Sequence, residues 1–492
     1  PLLLATEGVR VVRLREGLTL DEPCLHAVLT HADDANLRRT LWRAARQRAT
    51  SPERDNRPLI ARILALRAEK AALLGYANFG ALVLEERMAH DPERARAFLA
   101  ELEAHSRPAF EAECAALEGF MRQHTGLAEA TLAPWDVAYF AEKQRKATLG
   151  FDEEALKAYF PLEQVLEGLF ALCQQLFRIQ ITAVDLPTYH KSVRSYRISD
   201  EGGQALAHFY ADFFPRPGKR GGAWMDAFGY ASAGLTDRSQ HHIGVICANL
   251  SPPTDDLPAL LTMREVETVF HEFGHLLHHA LTDVPVRSLA GTNVAWDFVE
   301  LPSQIMENWC WEKEGLDRIA RHWQSGESLP DALWQRMQQA RRYRAASAMM
   351  RQIGFATTDL ALHLDYQPEV HNGPTDYARS VLARYAPAAL PDDDAMIAGF
   401  SHLFGGAVAY ACGYYSYKWA EVLDADAFSR FKEEGIFSPE VGRDWRTQVL
   451  AQGNSQKPEA LFASFRGRPP RIDALLQRAG IAPNMVPAAG AC

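Results

Sequence analysis

The sequence predicts a mainly α-helical fold interrupted by one small β-sheet. Two stretches, from Asp33 to about Phe170 and from residue 251 to Phe465, repeat apolar residues at i, i+3 and i+4 with charged residues on the opposite face. That is the pattern of amphipathic helices laid on a core. Between them, from about Arg178 to Leu250, the segments become short, rich in β-branched and aromatic residues, and bounded by Gly, Pro and Asp, as strands are. With 492 residues, 47% of them apolar, the chain can bury a large core. No fixed-period repeat points to a solenoid. The expected organisation is one body over 1–470, helical over 1–177, sheet over 178–250 and helical over 251–470, followed by a tail at 471–492.

The chain opens at Pro1 with PLLLATEGVR, too short and lacking the basic flank of an export signal. No run of eighteen apolar residues is present to span a membrane. The seven cysteines (24, 114, 173, 247, 310, 412 and 492) are odd in number and never spaced as CxxC. This favours reduced thiols in a cytoplasmic setting over a disulfide framework. The formal net charge is −10, and the arginines between Arg38 and Arg67 are interleaved with Asp and Glu, so nucleic acid is not an expected partner. Helices follow at LIARILALRAEKAALLGY and ERARAFLAELEAHSRPAFEAECAALEGFM, with breaks at Asp91-Pro92 and Pro134-Trp135. In the central region VRSYRIS, LAHFYADFF and IGVICANL are the expected strands, and PRPGKRGGAW is a glycine-rich turn between two of them. Gly221 and Gly222 in that turn can bring backbone close to a substrate.

The stretch from Leu261 to Leu281, LTMREVETVFHEFGHLLHHAL, predicts one helix. Thr262 and Glu265 make a capping-box signature at its start. Val266, Val269, Phe270, Phe273 and Leu277 supply a buried face. His271 and His275 are one turn apart on the polar face, about 5–6 Å from each other, so both can reach one metal ion. Glu272 completes His-Glu-x-x-His, in which two histidines bind zinc and the glutamate serves as general base. His278 and His279 show that the helix also carries histidine outside the motif.

A catalytic zinc site needs a third protein ligand and an open position. The continuation that would put Gly at 278 and His at 281 fails, because His278 and Leu281 stand there. The other source is a carboxylate from a following helix in AWDFVELPSQIMENWCWE, where Asp297, Glu300 and Glu307 share roughly one face and spacing does not choose among them. Pro302 either kinks this helix or marks its first turn. Glu267, one turn before His271, is a candidate to orient that imidazole.

VFHEFGHLLHH and GTNVAWDFVELPSQIMENWCWE, together with KRGGAWMDAF (Lys219 to Phe228) and YACGYYSYKWAEVLDADAFSRF (Tyr410 to Phe431), resemble the thimet oligopeptidase family of zinc metallopeptidases. The likeness extends to about Asp473. It implies a two-lobed helical zincin with a small sheet beside the zinc and a deep substrate channel, one Zn2+ held by His271, His275 and Glu300, and Glu272 as base. It also implies binding of the peptide backbone along a sheet edge. Family members carry a further helical segment ahead of this point, so the chain reads as a fragment or a shortened form.

The late segment SHLFGGAVAYACGYYSYKW places Tyr410, Tyr414 and Tyr417 at i, i+4 and i+7, the spacing of three phenols on one helical face. A packing stripe has the same spacing, but phenols are also good donors to a developing oxyanion. The resemblance assigns Tyr414 and Tyr417 to the substrate or its tetrahedral intermediate, and Tyr410 and His402 to the surrounding site. Gly405-Gly406 lies further from Tyr410 than in the family pattern. The expected activity is zinc-dependent hydrolysis of internal bonds in short, unstructured peptides by a cytoplasmic monomer. The alternatives are a dipeptidyl carboxypeptidase of the same family and a non-catalytic peptide-binding scaffold.

Overall fold

Helix after helix follows from the first described residues onward, and the five-stranded sheet falls where the pattern of the sequence changes. The computed structural model describes residues 18–20, 22–150, 153–231 and 241–481. The opening PLLLATEGVR and Cys492 lie outside these residues. The chain divides into two compact units. The first is Pro1–Phe151, Gln339–Tyr415 and Ala479–Cys492; the second is Asp152–Gln338 and Ser416–Arg478.

In the first unit a 34-residue helix, Pro92–Thr125, packs along the 20-residue helix Ala345–Leu364. The former starts because the Asp91 side chain accepts from the Arg94 amide at 2.7 Å and Pro92 occupies a first-turn position, where its missing N–H costs nothing. It ends at Gly126, whose φ of 72° is left-handed, a common helix stop. Glu113 projects from its middle and accepts from the Ala346 and Ser347 amides at 3.1 and 2.7 Å, which satisfies free donors at the start of the second helix.

The second unit is built on a mixed sheet of β1 (Ile179–Ala183), β2 (Arg194–Asp200), β3 (Ala205–Asp212), β4 (Trp224–Gly229) and β5 (His242–Cys247). Its order is β1-β2-β3-β5-β4, with β3 and β5 parallel and every other pair antiparallel. Strand β4 therefore forms an edge among the described residues. The helix Met263–Ala280 lies on β4 and β5. Gly244 lies in that contact, where a Cβ would come within 2.6 Å of the end of the Leu276 side chain. Phe273 packs edge-on to Phe209 of β3, with ring centroids 5.8 Å apart.

The structure departs from the sequence reading at the C-terminus. Asp473–Ala479, expected in a tail, form a helix with Leu475 and Leu476 buried. Arg478 at its end bonds Asp424, which also accepts from Asn308. A tail has no such contacts; RGRPPRID is the connection into this helix.

Candidate metal centre

The His-Glu-x-x-His helix starts as its sequence predicts. Thr262 Oγ1 accepts from the Glu265 amide at 3.1 Å and Glu265 accepts in return from the Thr262 amide at 2.7 Å. Val266, Val269, Phe270, Phe273 and Leu277 are at most 2% exposed, so the rotation of the helix is fixed by burial. This leaves His271 and His275 facing the following helix, Leu301–Glu307, with ring centroids 5.0 Å apart.

Glu300 caps that second helix, and Pro302 marks its first turn. One oxygen, Glu300 Oε2, lies 3.3 Å from His271 Nε2 and 3.2 Å from His275 Nε2. Ligand atoms held tetrahedrally at about 2.0–2.1 Å from zinc are themselves about 3.3–3.4 Å apart, so this trio has the spacing that such an ion requires. Asp297, fully buried, is not among the three gathered residues. The helices meet this closely because residue 274 is glycine. A Cβ there would run into the Pro302 carbonyl and come within 2.6 Å of Ser303 Cα. The Ser303 hydroxyl is in turn within reach of the Glu300 carbonyl at 2.8 Å and of Glu300 Oε2 at 3.1 Å.

The electrostatics also call for a cation. Burial by itself would raise the Glu300 carboxyl, but its bonds to His271 and His275 hold it well below the usual carboxylate range. Burial would lower His271, and the hydrogen bonds it donates to Glu300 and Glu307 overcome this and push it up to about 10. The site thus binds positive charge, as a proton or as a metal ion. Glu272, 6% exposed, is raised by burial and lowered by the two imidazoles and by a hydrogen bond from the Met225 amide of β4. A buried carboxylate with a raised pKa beside the edge strand is suited to moving a proton near neutral pH.

Glu307, which spacing alone does not separate from Glu300, addresses the other ring nitrogen: its Oε1 lies 2.7 Å from His271 Nδ1. With the Nδ1 proton pointed at Glu307, Nε2 is the nitrogen turned toward Glu300, where it carries a proton or, with that proton displaced, can ligate a metal ion. Glu267, expected to orient His271, instead accepts from the indole nitrogen of Trp311 at 2.5 Å. Side chains on a helix lean toward its N-terminus, so a residue one turn upstream points away from His271, while one on the neighbouring helix can approach it.

The remaining predicted residues fall in several places. Gly221 and Gly222 precede β4, and the Asn249 side chain donates to the carbonyls of Arg220 and Gly222. Buried Lys219 donates to the carbonyls of Asp212, Phe214 and Ala248 and so holds the same turn from below. Tyr417 is the second residue of the helix Ser416–Glu434, which packs against the Glu300 helix. His402, Tyr410 and Tyr414 belong to the first unit and cluster there, with the His402 ring 5.6 Å from Tyr410 and 5.7 Å from Tyr414. The three tyrosines do not share a helical face. Residues 405–415 form successive turns, with Ala409 and Cys412 left-handed at φ 50° and 55°, and helix begins only at Ser416. A cavity of about 880 Å³ lies elsewhere, at the C-terminal end of the motif helix beside Thr282, Asp283 and Arg446, and none of the predicted site residues lines it.

Both the sequence and the fold are similar to those of known peptidases. The sequence is 40% identical to oligopeptidase A of Haemophilus influenzae over 94% of the chain and 68% of that protein. It is 35% identical to dipeptidyl carboxypeptidase of Escherichia coli over 94% of the chain and 67% of that protein. The fold is similar to a solved structure titled PZ peptidase A with inhibitor 2, at a TM-score of 0.58 and 15% identity over 93% of the chain and 70% of the other. The family model described as Peptidase family M3 matches residues 28–481, which include both helices of the candidate metal centre, the edge strand and the tyrosine segment. The chain therefore belongs to peptidase family M3 and is a metallopeptidase.

Proposed function

We propose that this metallopeptidase is a zinc-dependent oligopeptidase cleaving internal bonds of short, unstructured peptides. The observation that carries the reading is the convergence of two Nε2 atoms on one Glu300 oxygen at 3.2–3.3 Å, next to a buried Glu272. His271, His275 and Glu300 would hold one Zn2+, with Glu307 fixing the tautomer of His271. When bound, such an ion supplies Lewis acidity, acidifying water and polarising a carbonyl.

The other roles fall to side chains and backbone. Glu272 takes a proton from the attacking water and returns it to the leaving amine. The edge of β4, unpaired among the described residues and next to Glu272 through Met225, offers backbone donors and acceptors for an extended peptide to pair with, independent of its side chains. The family resemblance gives the Tyr417 hydroxyl, and that of Tyr414, the role of donor to the oxyanion. The same resemblance gives Tyr410, His402 and the Gly221-Gly222 turn roles in binding the rest of the peptide. A reduced, cytoplasmic setting accords with the six described cysteines, all of them free. Among the described residues no helix is long and apolar enough to cross a membrane.

An internally quenched peptide with a blocked C-terminus tests the reading. Chelator-sensitive cleavage, restored by zinc, is expected. Cleavage confined to free-ended peptides with release of dipeptides would instead make the chain a dipeptidyl carboxypeptidase. Zinc binding without any hydrolysis would leave a peptide-binding scaffold.

A further inference from the structure

The first unit contains a second cluster of ligand-type side chains, Asp359, His363 and Cys412. Its bonding argues against a metal. His363 and Asp359 have side chains 1% and 0% exposed. His363 Nδ1 lies 2.8 Å from the Asp359 carbonyl and 3.1 Å from its Oδ1, which places the ring proton there and leaves Nε2 as an acceptor. Nε2 meets the Arg67 guanidinium at 2.9 Å. The Arg67 guanidinium thus takes up Nε2, the ring proton takes up Nδ1, and burial pushes the Cys412 thiol far above its usual range, which disfavours the thiolate a metal would need.

The same groups hold both ends of one loop. Arg67 Nη2 donates to the carbonyl of Leu403 at 2.8 Å and is within 3.1 and 3.4 Å of those of Gly406 and Ala407. At the far end the Asp359 carboxylate accepts from the Cys412 amide at 2.8 Å and the Tyr414 amide at 3.0 Å. Between these anchors Ala409 and Cys412 take left-handed backbone, which residues other than glycine keep only where the surroundings over-determine it. His402 sits at the start of the loop, Tyr410 inside it and Tyr414 at its end, and the Tyr410 amide donates to the His402 carbonyl at 3.0 Å.

We propose that Arg67, His363 and Asp359 form a buried relay that positions the 402–414 loop and thereby fixes where His402, Tyr410 and Tyr414 stand for substrate. The three touch no substrate; they are positioning residues, and the inference rests on the substrate role proposed above for the rings they hold. The chain of contacts runs from guanidinium to imidazole to carboxylate. Turning the imidazole therefore disturbs both ends of the loop together.

Asp359→Asn keeps the shape of the side chain but places a donor where one of two amides needs an acceptor. In the full chain, amide hydrogen exchange over 403–414 is expected to speed up at least tenfold, with exchange of the helix 263–280 and zinc content unchanged. kcat/KM on the blocked quenched peptide is expected to fall at least tenfold, mostly through KM. Adding Cys412→Gly, which tolerates left-handed backbone without a steric cost, is expected to restore part of both. Arg67→Lys, which cannot bridge three carbonyls at once, is the milder variant if Asp359→Asn does not fold. The relay is refuted if the folded variants keep loop exchange and KM within twofold of the parent, or if exchange rises equally in the 263–280 helix. If the parent protein hydrolyses no peptide, the proposed function falls, while the exchange measurement still decides the relay.

Discussion

Glu300 and Glu307 stand at opposite ends of one short helix and address opposite nitrogens of His271, Glu300 at Nε2 and Glu307 at Nδ1. Their replacement is therefore expected to have different consequences. Glu300→Gln should abolish stoichiometric zinc, whereas Glu307→Gln should leave the ligands in place and lower zinc affinity about 10–100-fold. Competition with a chelator of known affinity measures both, and equal affinities for Glu307→Gln and its parent would remove that residue from the support of His271. Glu267→Gln is the control, expected to change affinity little because Glu267 bonds Trp311. For Glu272→Gln the expectation is undiminished zinc and a kcat lower by about 10²–10⁴-fold, the usual worth of a general base; activity equal to the parent would sink the assignment. Local spacing sufficed to place His271 and His275 side by side, since one helical turn determines their geometry. It did not separate Glu300 from Glu307, because that choice depends on where a second helix docks, and nothing in either segment alone encodes it.

Docking of the two site helices turns on a position with no chemistry of its own. Gly274 lets the motif helix lie against the backbone of Pro302 and Ser303, and a methyl group there has no flexible side chain to displace. Gly274→Ala is expected to push the Glu300 helix away and to cost about 1–3 kcal/mol by overpacking, together with much of the zinc affinity. Urea unfolding and metal titration would show it; an unchanged affinity would mean that the helices tolerate separation. The motif helix was legible because its capping box, buried face and ligand spacing are all local. Tyr410 to Tyr417 misled because the spacing is helical while the backbone is not: Ala409 and Cys412 are left-handed without being glycine, and the Asp359 carboxylate that holds the turn comes from a helix more than fifty residues earlier in the chain. His279, which looked dispensable in the sequence, has its Nε2 at 3.1 Å from the Gly229 carbonyl and 3.2 Å from that of Ile243. It ties the end of β4 to β5, again a contact that no local pattern announces.

Alternation and periodicity over tens of residues were enough to place the helical stretches and the central sheet, because each reflects burial summed over many side chains. The helix Asp473–Ala479 escaped because seven residues after a Pro-Pro pair carry too little period to register, although Leu475, Leu476 and Arg478 anchor it. Burial also sets how the folded chain responds to acid. His278 has both ring nitrogens without a hydrogen-bond partner among the described residues, and burial lowers it to about 3. His242, packed against His279, is lowered to about 4, mainly by burial. Unfolded histidines titrate near about 6.5. Between that value and the lowered ones the unfolded chain binds protons that the folded chain refuses, so stability is full above about 6.5 and is lost as pH falls toward 4. Each such histidine steepens the loss by up to about 1.4 kcal/mol per pH unit. His278→Leu removes one of these groups and no hydrogen bond, so it is expected to leave stability at pH 7.5 equal or higher and to flatten the decline between pH 6.5 and 4.5. Urea midpoints measured across that range on parent and variant give the difference directly, with contributions of the metal site and the buried carboxyls common to both. Parallel curves would show that His278 is already protonated, or already paired, in the folded chain.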